Sequence, residues 1–283
     1  MSGSRSVSAG SSKKKKISPH VKSYSNEERL SVSYMVLVGA VTLLVGLMNG
    51  YHVSSLFEND RHFSHLSNLE REMSFRTEMG LYYSYFKTIL EADSLADGFM
   101  QLYKNNLTEY PNTINTLKRF NLYPELFAGS LYRGLNQAGL LSQQCWTVNR
   151  GEGLEPARSC EGLQDPPNFY INLVWLAAAA TTSLIFLLGL TISRSVLGGV
   201  ISVICFFYNH GECTRVMWTP PLRESFAFPI CLAQTLAVTW TTRNCRPGWR
   251  NLLAISSTTT LFIICWQFAQ FMLFTQSQLK REY

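Results

Sequence analysis

Two carboxylates separated by one residue, Glu58 and Asp60, are the first groups in the chain whose types and spacing suit chemistry. They lie in Leu56-Phe57-Glu58-Asn59-Asp60-Arg61-His62-Phe63, which follows directly on an apolar run from Ser31 to Tyr51. A carboxylate facing lipid is costly, so acids at this point belong in water or in a polar cavity. There a carboxylate can orient or deprotonate an acceptor. A second polar stretch, Asn209 to Glu224, carries Arg215 and Arg223 together with Glu212 and Glu224. Arginine holds phosphate through two parallel N–H donors. Acid beside guanidinium at a membrane surface suits transfer from a lipid-linked phosphate, with Arg215 or Arg223 on the phosphate. The competing reading is structural: Arg223 and Glu224 pair with Glu58 or with backbone at a helix end.

Asp60, His62 and His65 supply a carboxylate and a His-x-x-His spacing that can share a helix face and bind zinc. No Glu stands between the two histidines, so the zinc-protease motif is absent. No metal is expected. Nucleophilic catalysis finds no Gly-x-Ser-x-Gly, and no Gly-rich nucleotide loop is present. The cysteines inside apolar runs read as small hydrophobes.

The elements that must position these groups follow from segregation of the apolar residues. The chain has 283 residues and a formal charge of +6, and its hydrophobic residues collect in long runs. This is the pattern of a polytopic membrane protein built from helices. Residues 1–30 form a basic Ser/Gly/Lys-rich tail with Lys13 to Lys16. It reads as disordered and cytosolic, and its lack of interleaved aromatics argues against nucleic acid. The tail is too long and polar for the n-region of a signal peptide. Residues 31–51 are the first span: at about 1.5 Å per residue they cross a hydrocarbon core of roughly 30 Å. Four further spans are predicted at Phe169 to Leu190, Leu197 to Tyr208, Ser225 to Thr242 and Asn251 to Phe274. With five crossings, Arg194 and the loop with Arg243, Arg246 and Arg250 fall on the side of the basic tail. The twelve-residue run Leu197 to Tyr208 has a rival reading as a re-entrant segment. That would return residues 209–224 to the cytosolic side.

Residues 52–168 form a long loop on the opposite, lumenal side. Ser67-Asn68-Leu69-Glu70 fits a capping box. Leu69, Met73, Tyr82, Phe86 and Ile89 fall roughly on one helical face. Pro111 and Pro124 suit the first turns of two more helices. The loop is therefore expected to be a partly helical layer lying against the membrane. Asn106-Leu107-Thr108 is a glycosylation sequon, a pattern common by chance that fits a lumenal location for Asn106. Cys145 and Cys160 are the only cysteines in this loop, and a disulfide between them is expected in an oxidising compartment. The alternative is two unpaired thiols.

Several stretches carry a resemblance. They are Phe57 to Ser64, Leu69 to Tyr85, Phe206 to Glu224 (FFYNHGECTRVMWTPPLRE) and Trp266-Gln267-Phe268-Ala269-Gln270-Phe271. Together they resemble the dumpy-nineteen family of protein C-mannosyltransferases, from about residue 42 to 276, with most similarity to the first vertebrate paralogue. The resemblance implies an all-α, multi-span GT-C type glycosyltransferase core of the endoplasmic reticulum membrane or nuclear envelope. It implies transfer of mannose from dolichyl-phosphate mannose to C2 of tryptophan in lumenal Trp-x-x-Trp sequences of secretory or membrane proteins. No cofactor is implied. The acidic motif of the first lumenal loop, which carries the catalytic carboxylate in that family, corresponds to Glu58 and Asp60. Family chains are longer, so this chain reads as an N-terminal part or fragment. The contrasting expectation is a non-enzymatic membrane scaffold or anchor acting through its basic tail.

Overall fold

The computed structural model describes residues 32–151, 153–209, 211, 221–244 and 248–279. The basic tail with Lys13 to Lys16, and also Glu212, Arg215 and Arg246, lie outside the described residues. The chain divides into two units, residues 1–39 and 40–283, and the contacts below belong to the second.

The order of elements is mostly helical. Helix α1 runs Val32–Arg61, α2 Asn68–Ser74, α3 Glu78–Glu91, α4 Leu95–Tyr103, α5 Thr116–Phe120 and α6 Tyr123–Gln137. A hairpin of β1 (Gln143–Val148) and β2 (Ala157–Gly162) follows. Then come α7 Pro166–Ser193, α8 Val196–Tyr208, α9 Arg223–Asn244, α10 Trp249–Cys265 and α11 Ala269–Leu279. Helices α1 and α7 are long and apolar enough to cross a membrane, and α8 is a shorter apolar helix.

Helix α1 continues ten residues past Tyr51, the end of its apolar run. Its 30 residues extend about 45 Å at 1.5 Å per residue. The polar segment Tyr51 to Arg61 continues the helix instead of starting a loop, and Glu58 and Asp60 ride on its last turns. The helix packs on α7 through small residues. A Cβ at Gly46 would strike Ser183 and Ala179, and one at Gly50 would press on Ala179 and Trp175. That close approach lets the buried Asn49 donate to the carbonyl of Ala178 at 2.8 Å, and Ser183 to that of Thr42 at 2.9 Å. Small residues at a helix contact replace hydrophobic drive by close packing, and side-chain hydrogen bonds fix the register.

The region between α1 and α7 is a helical layer with its own core. Ser67 and Glu70 form the reciprocal capping box at α2. Helix α3 buries Met79, Tyr83 and Phe86 at spacings of four and three against Tyr170 and Val174 of α7. Tyr85 and Ile89 face the other way, onto Leu102, Leu117 and Leu122. Four expectations need correction. Leu69 and Met73 are exposed, because α2 ends at Ser74 and a turn re-aims the chain before α3. Pro111 lies in a turn: the next helix starts at Thr116, where the Asn115 side chain caps Lys118 N at 3.1 Å. The fold is not purely all-α, since the cysteine-bearing segment pairs as an antiparallel hairpin with Cys145 opposite Cys160. The last apolar run is not one helix. It breaks between Cys265 and Ala269, at Trp266-Gln267-Phe268.

That break has partners. Asn121, in the left-handed conformation at the end of α5, donates to the carbonyls of Ile263 and Ile264 at 3.3 and 3.1 Å. Gln267 donates to the carbonyl of Arg119 at 2.6 Å. A helix end leaves its last carbonyls without intrahelical donors. Here a loop more than a hundred residues earlier supplies them.

Candidate functional site

Glu58 is half-buried, and its carboxylate is oriented from the turn that follows α1. His62 adopts a left-handed conformation, turning the chain back so that Ser64 faces the last helical turn. Ser64 N donates to both Glu58 oxygens at 3.1 and 3.2 Å, and Ser64 Oγ donates to Oε1. The carboxylate lies at a cavity of about 280 Å3 lined also by Phe57, Asn168, Asn172, Trp175 and Glu161. A fixed carboxylate beside an aromatic wall and amide groups can receive a proton or face a developing positive charge.

The turn itself is held by Arg71, whose side chain is fully buried. Its Nε donates to the carbonyl of Phe63 at 3.0 Å and its Nη2 to that of Ser64 at 2.8 Å. Nη1 donates to the carbonyl of Cys160 and meets Asp165 Oδ2 at 3.4 Å. Asp165 is buried at the N-terminus of α7. Burial raises its pKa above the usual aspartate value, against the lowering influence of the Arg71 charge. Strand β2 adds two bonds: Cys160 N donates to Asn68 Oδ1 at 2.9 Å, and Ser159 Oγ to the carbonyl of Leu66 at 3.3 Å. Cys145 and Cys160 are joined by a disulfide. The hairpin thus clamps the segment from Phe63 to Arg71, which in turn aims Glu58.

Asp60 is more exposed than Glu58 and pairs with Arg61 at 2.9 Å. His62 and His65 are exposed. Among the described residues no three His, Cys, Asp or Glu side chains converge to hold a metal ion. Asn106 is exposed, beside a turn in which Asn105 Oδ1 accepts from Leu107 N and Thr108 N.

Arg223 is not brought to Glu58. It pairs with Glu125, donates to the carbonyl of Asn121 at 3.0 Å and stands 4.0 Å over the Tyr82 ring. Tyr170 OH donates to the same Glu125 oxygen at 2.8 Å. Glu125 Oε2 and Arg223 Nε have no hydrogen-bond partner among the described residues. Burial raises the pKa of Tyr82, opposed by the Arg223 charge. Arg223 lines a different, larger cavity of about 540 Å3, with Glu78, Tyr82, Glu224, Trp266 and Gln267. Of its competing reading in sequence, pairing with Glu58 or with backbone at a helix end, the acid is Glu125 instead of Glu58, and the backbone partner is the Asn121 carbonyl at the end of α5. Arg215 lies outside the described residues.

Four residues of these two sites carried no signal in sequence as partners: Ser64, Arg71, Tyr82 and Glu125. Arg71 stands in a charged run, Leu69-Glu70-Arg71-Glu72, that resembles a solvated helix face. Glu125 follows Pro124 in the first turn of a helix, where an acid ordinarily faces solvent and the helix dipole.

The family model described as "Dpy19: Q-cell neuroblast polarisation" matches residues 43–279. Protein C-mannosyl-transferase DPY19L1 of Mus musculus is 55% identical over 234 residues, 81% of this chain and 31% of that protein. The human protein of the same name is 52% identical over 238 residues, 83% of this chain and 35% of its own length. C-mannosyltransferase dpy-19 of Caenorhabditis elegans is 46% identical over 271 residues, 93% and 40% of the two chains. The chain spans about a third of the length of the curated relatives it matches. The family match covers both cavities and the clamped turn that carries Glu58, and the chain belongs to the Dpy19 family.

Proposed function

We propose that this chain carries the acid-bearing part of an inverting C-mannosyltransferase of the endoplasmic reticulum membrane, with a GT-C type helical core. The donor is dolichyl-phosphate mannose. The acceptors are secretory or membrane proteins with lumenal Trp-x-x-Trp sequences. In this reading the bond from mannose C1 to the phosphate oxygen breaks as the bond from C1 to indole C2 forms. The C2 proton then leaves to a carboxylate. Indole C2 is a weak nucleophile, so the site must also stabilise positive charge on sugar and indole. Glu58 is the base, and Asp60 supports it electrostatically. With Arg223 engaged by Glu125, the phosphate falls to Arg215. Glu58, Asn106, the Cys145–Cys160 bond and Arg223 are lumenal, and five helical regions cross the membrane.

The observation that carries this reading is the Glu58 carboxylate, fixed by Ser64 at a Trp175-lined cavity, in a chain about half identical to proteins named C-mannosyltransferase. The test places this chain in the mouse relative in exchange for the matching segment. The chimera is expressed in cells without endogenous C-mannosylation, with mass spectrometry of a secreted Trp-x-x-Trp reporter. The chimera is expected to add one hexose per acceptor tryptophan, and Glu58→Gln to lower the modified fraction at least a hundredfold. Unchanged modification by Glu58→Gln would sink the role given to Glu58.

A further inference from the structure

We propose that Arg71 is a positioning residue for the Glu58 carboxylate, acting through Ser64. The inference rests on Glu58 being the reactive acid, and it concerns what aims that acid.

Arg71 is an unusual residue to find with no solvent exposure. Buried arginines are ordinarily matched by a close carboxylate. Its one acidic partner among the described residues, Asp165, stands at 3.4 Å, whereas the carbonyls of Phe63 and Ser64 stand at 3.0 and 2.8 Å and that of Cys160 is also bonded. Most of the guanidinium's donors are therefore directed at backbone oxygens, and two of those belong to consecutive residues of the turn after α1. The fork geometry of guanidinium fixes the plane of both peptide groups at once. Ser64 then presents its N–H and its hydroxyl to Glu58 from a peptide that cannot rotate. The Phe63 ring packs 5.7 Å from the guanidinium carbon and 5.5 Å from the Phe57 ring, one residue before Glu58. The same arginine reaches β2 and the first residue before α7, so three segments meet at one side chain.

A misplacement of about 1 Å in a reacting group costs of the order of a hundredfold in rate. The geometry here makes Ser64 the contact that sets the position of Glu58, and Arg71 the anchor of Ser64. Lysine at position 71 would keep the charge, but its three donors sit on one nitrogen, so it could not reproduce the fork that reaches Phe63, Ser64 and Cys160 from three separate nitrogens.

The experiment uses the same chimera, purified with lipid, and follows transfer from dolichyl-phosphate mannose to a Trp-x-x-Trp peptide. Arg71→Lys is expected to lower kcat at least tenfold while leaving the peptide KM within about twofold, because binding is unchanged and only the reactive geometry is lost. Ser64→Ala, which keeps the backbone donor, is expected to lower kcat at least threefold, and Ser64→Thr to restore it. The double change Arg71→Lys/Ser64→Ala should fall no further than Arg71→Lys alone, since both act on one orientation. Wild-type kcat in well-folded Arg71→Lys, or effects that multiply in the double variant, would overturn the proposal. Should Arg71→Lys fail to fold, Ser64 decides: wild-type kcat in Ser64→Ala overturns it, and a loss rescued by Ser64→Thr sustains it. Glu58→Gln in parallel separates the two ideas. Activity retained there removes Glu58 as the acid, whereas activity lost there but kept in the Ser64 and Arg71 variants removes only the relay.

Discussion

Replacing Glu125 by Leu should strand a buried guanidinium, and the cost can be bounded from the contacts. Arg223 is 5% exposed and Glu125 is fully buried, so water cannot take over when either partner is removed. Breaking a buried ion pair from one side costs about 3–5 kcal/mol, mostly because the remaining charge is unpaired. Arg223 would keep the Asn121 carbonyl and the Tyr82 ring, the ring being worth about 1–2 kcal/mol. These are present before and after, so they do not offset the loss. Glu125→Leu alone should therefore cost about 3–5 kcal/mol. In an Arg223→Met background the guanidinium is gone and Glu125 is itself a buried acid without its charge partner. The same change then removes that acid and costs at most the acceptor of Tyr170 OH, about 1–3 kcal/mol. The coupling between the two positions should be about 2 kcal/mol or more. Thermal unfolding of the wild type, both single variants and the double variant, in one detergent and lipid mixture, measures it. Costs that add to within about 0.5 kcal/mol would show that the pair is solvated and refute the reasoning.

Two further outcomes follow from the clamp. The disulfide closes a loop with a sequence separation of 15, for which chain entropy gives about 3 kcal/mol. Reduction, or Cys145→Ser, is expected to open the hairpin first. Limited proteolysis should then cut between residues 145 and 160 while α7 stays protected. Asp165 has a raised pKa in the folded protein, chiefly through burial, so between the usual value of 3.8 and that raised value the folded state binds more protons than the unfolded chain. Stability from this group is present below 3.8 and is lost as pH rises to the folded value. Asp165→Asn should flatten that segment of the stability profile, as followed by unfolding midpoints across the acidic range.

What the sequence made legible was whatever depends on local pattern. The apolar runs mark α1 and α7, because a helix that lies in apolar surroundings has few polar residues to interrupt it. The capping box of Ser67 and Glu70 is a contact between neighbours, and Pro124 opens α6 as its fixed φ favours. The site was legible in part: Glu58 stood out as an acid after an apolar run. Its orientation by Ser64 did not, since that depends on the left-handed turn at His62. Arg71 and Glu125 were hidden because burial of a charge is decided by partners 94 and 98 residues away in the chain, Asp165 and Arg223. The break at Trp266 was hidden for the same reason. An apolar run of that length favours continuation, and the interruption is held by Asn121, which donates to the carbonyls before it, and by Gln267, which donates from it to Arg119.

That interruption also sets an order of manufacture. Asn121 precedes the carbonyl it bonds on Ile263 by 142 residues, a stretch the ribosome adds in roughly 7–30 s at about 5–20 residues per second. Loop closure, helix formation and hairpin pairing take microseconds, so the layer holding Asn121 has time to mature long before Ile263 emerges. The nascent end of α10 then meets a template already shaped to receive it. A chain in which that layer is slow to mature, through a delayed disulfide for example, would deliver α10 and α11 with no seat for their junction. Quality control would see the fault at the end of synthesis, although its origin lay near the beginning.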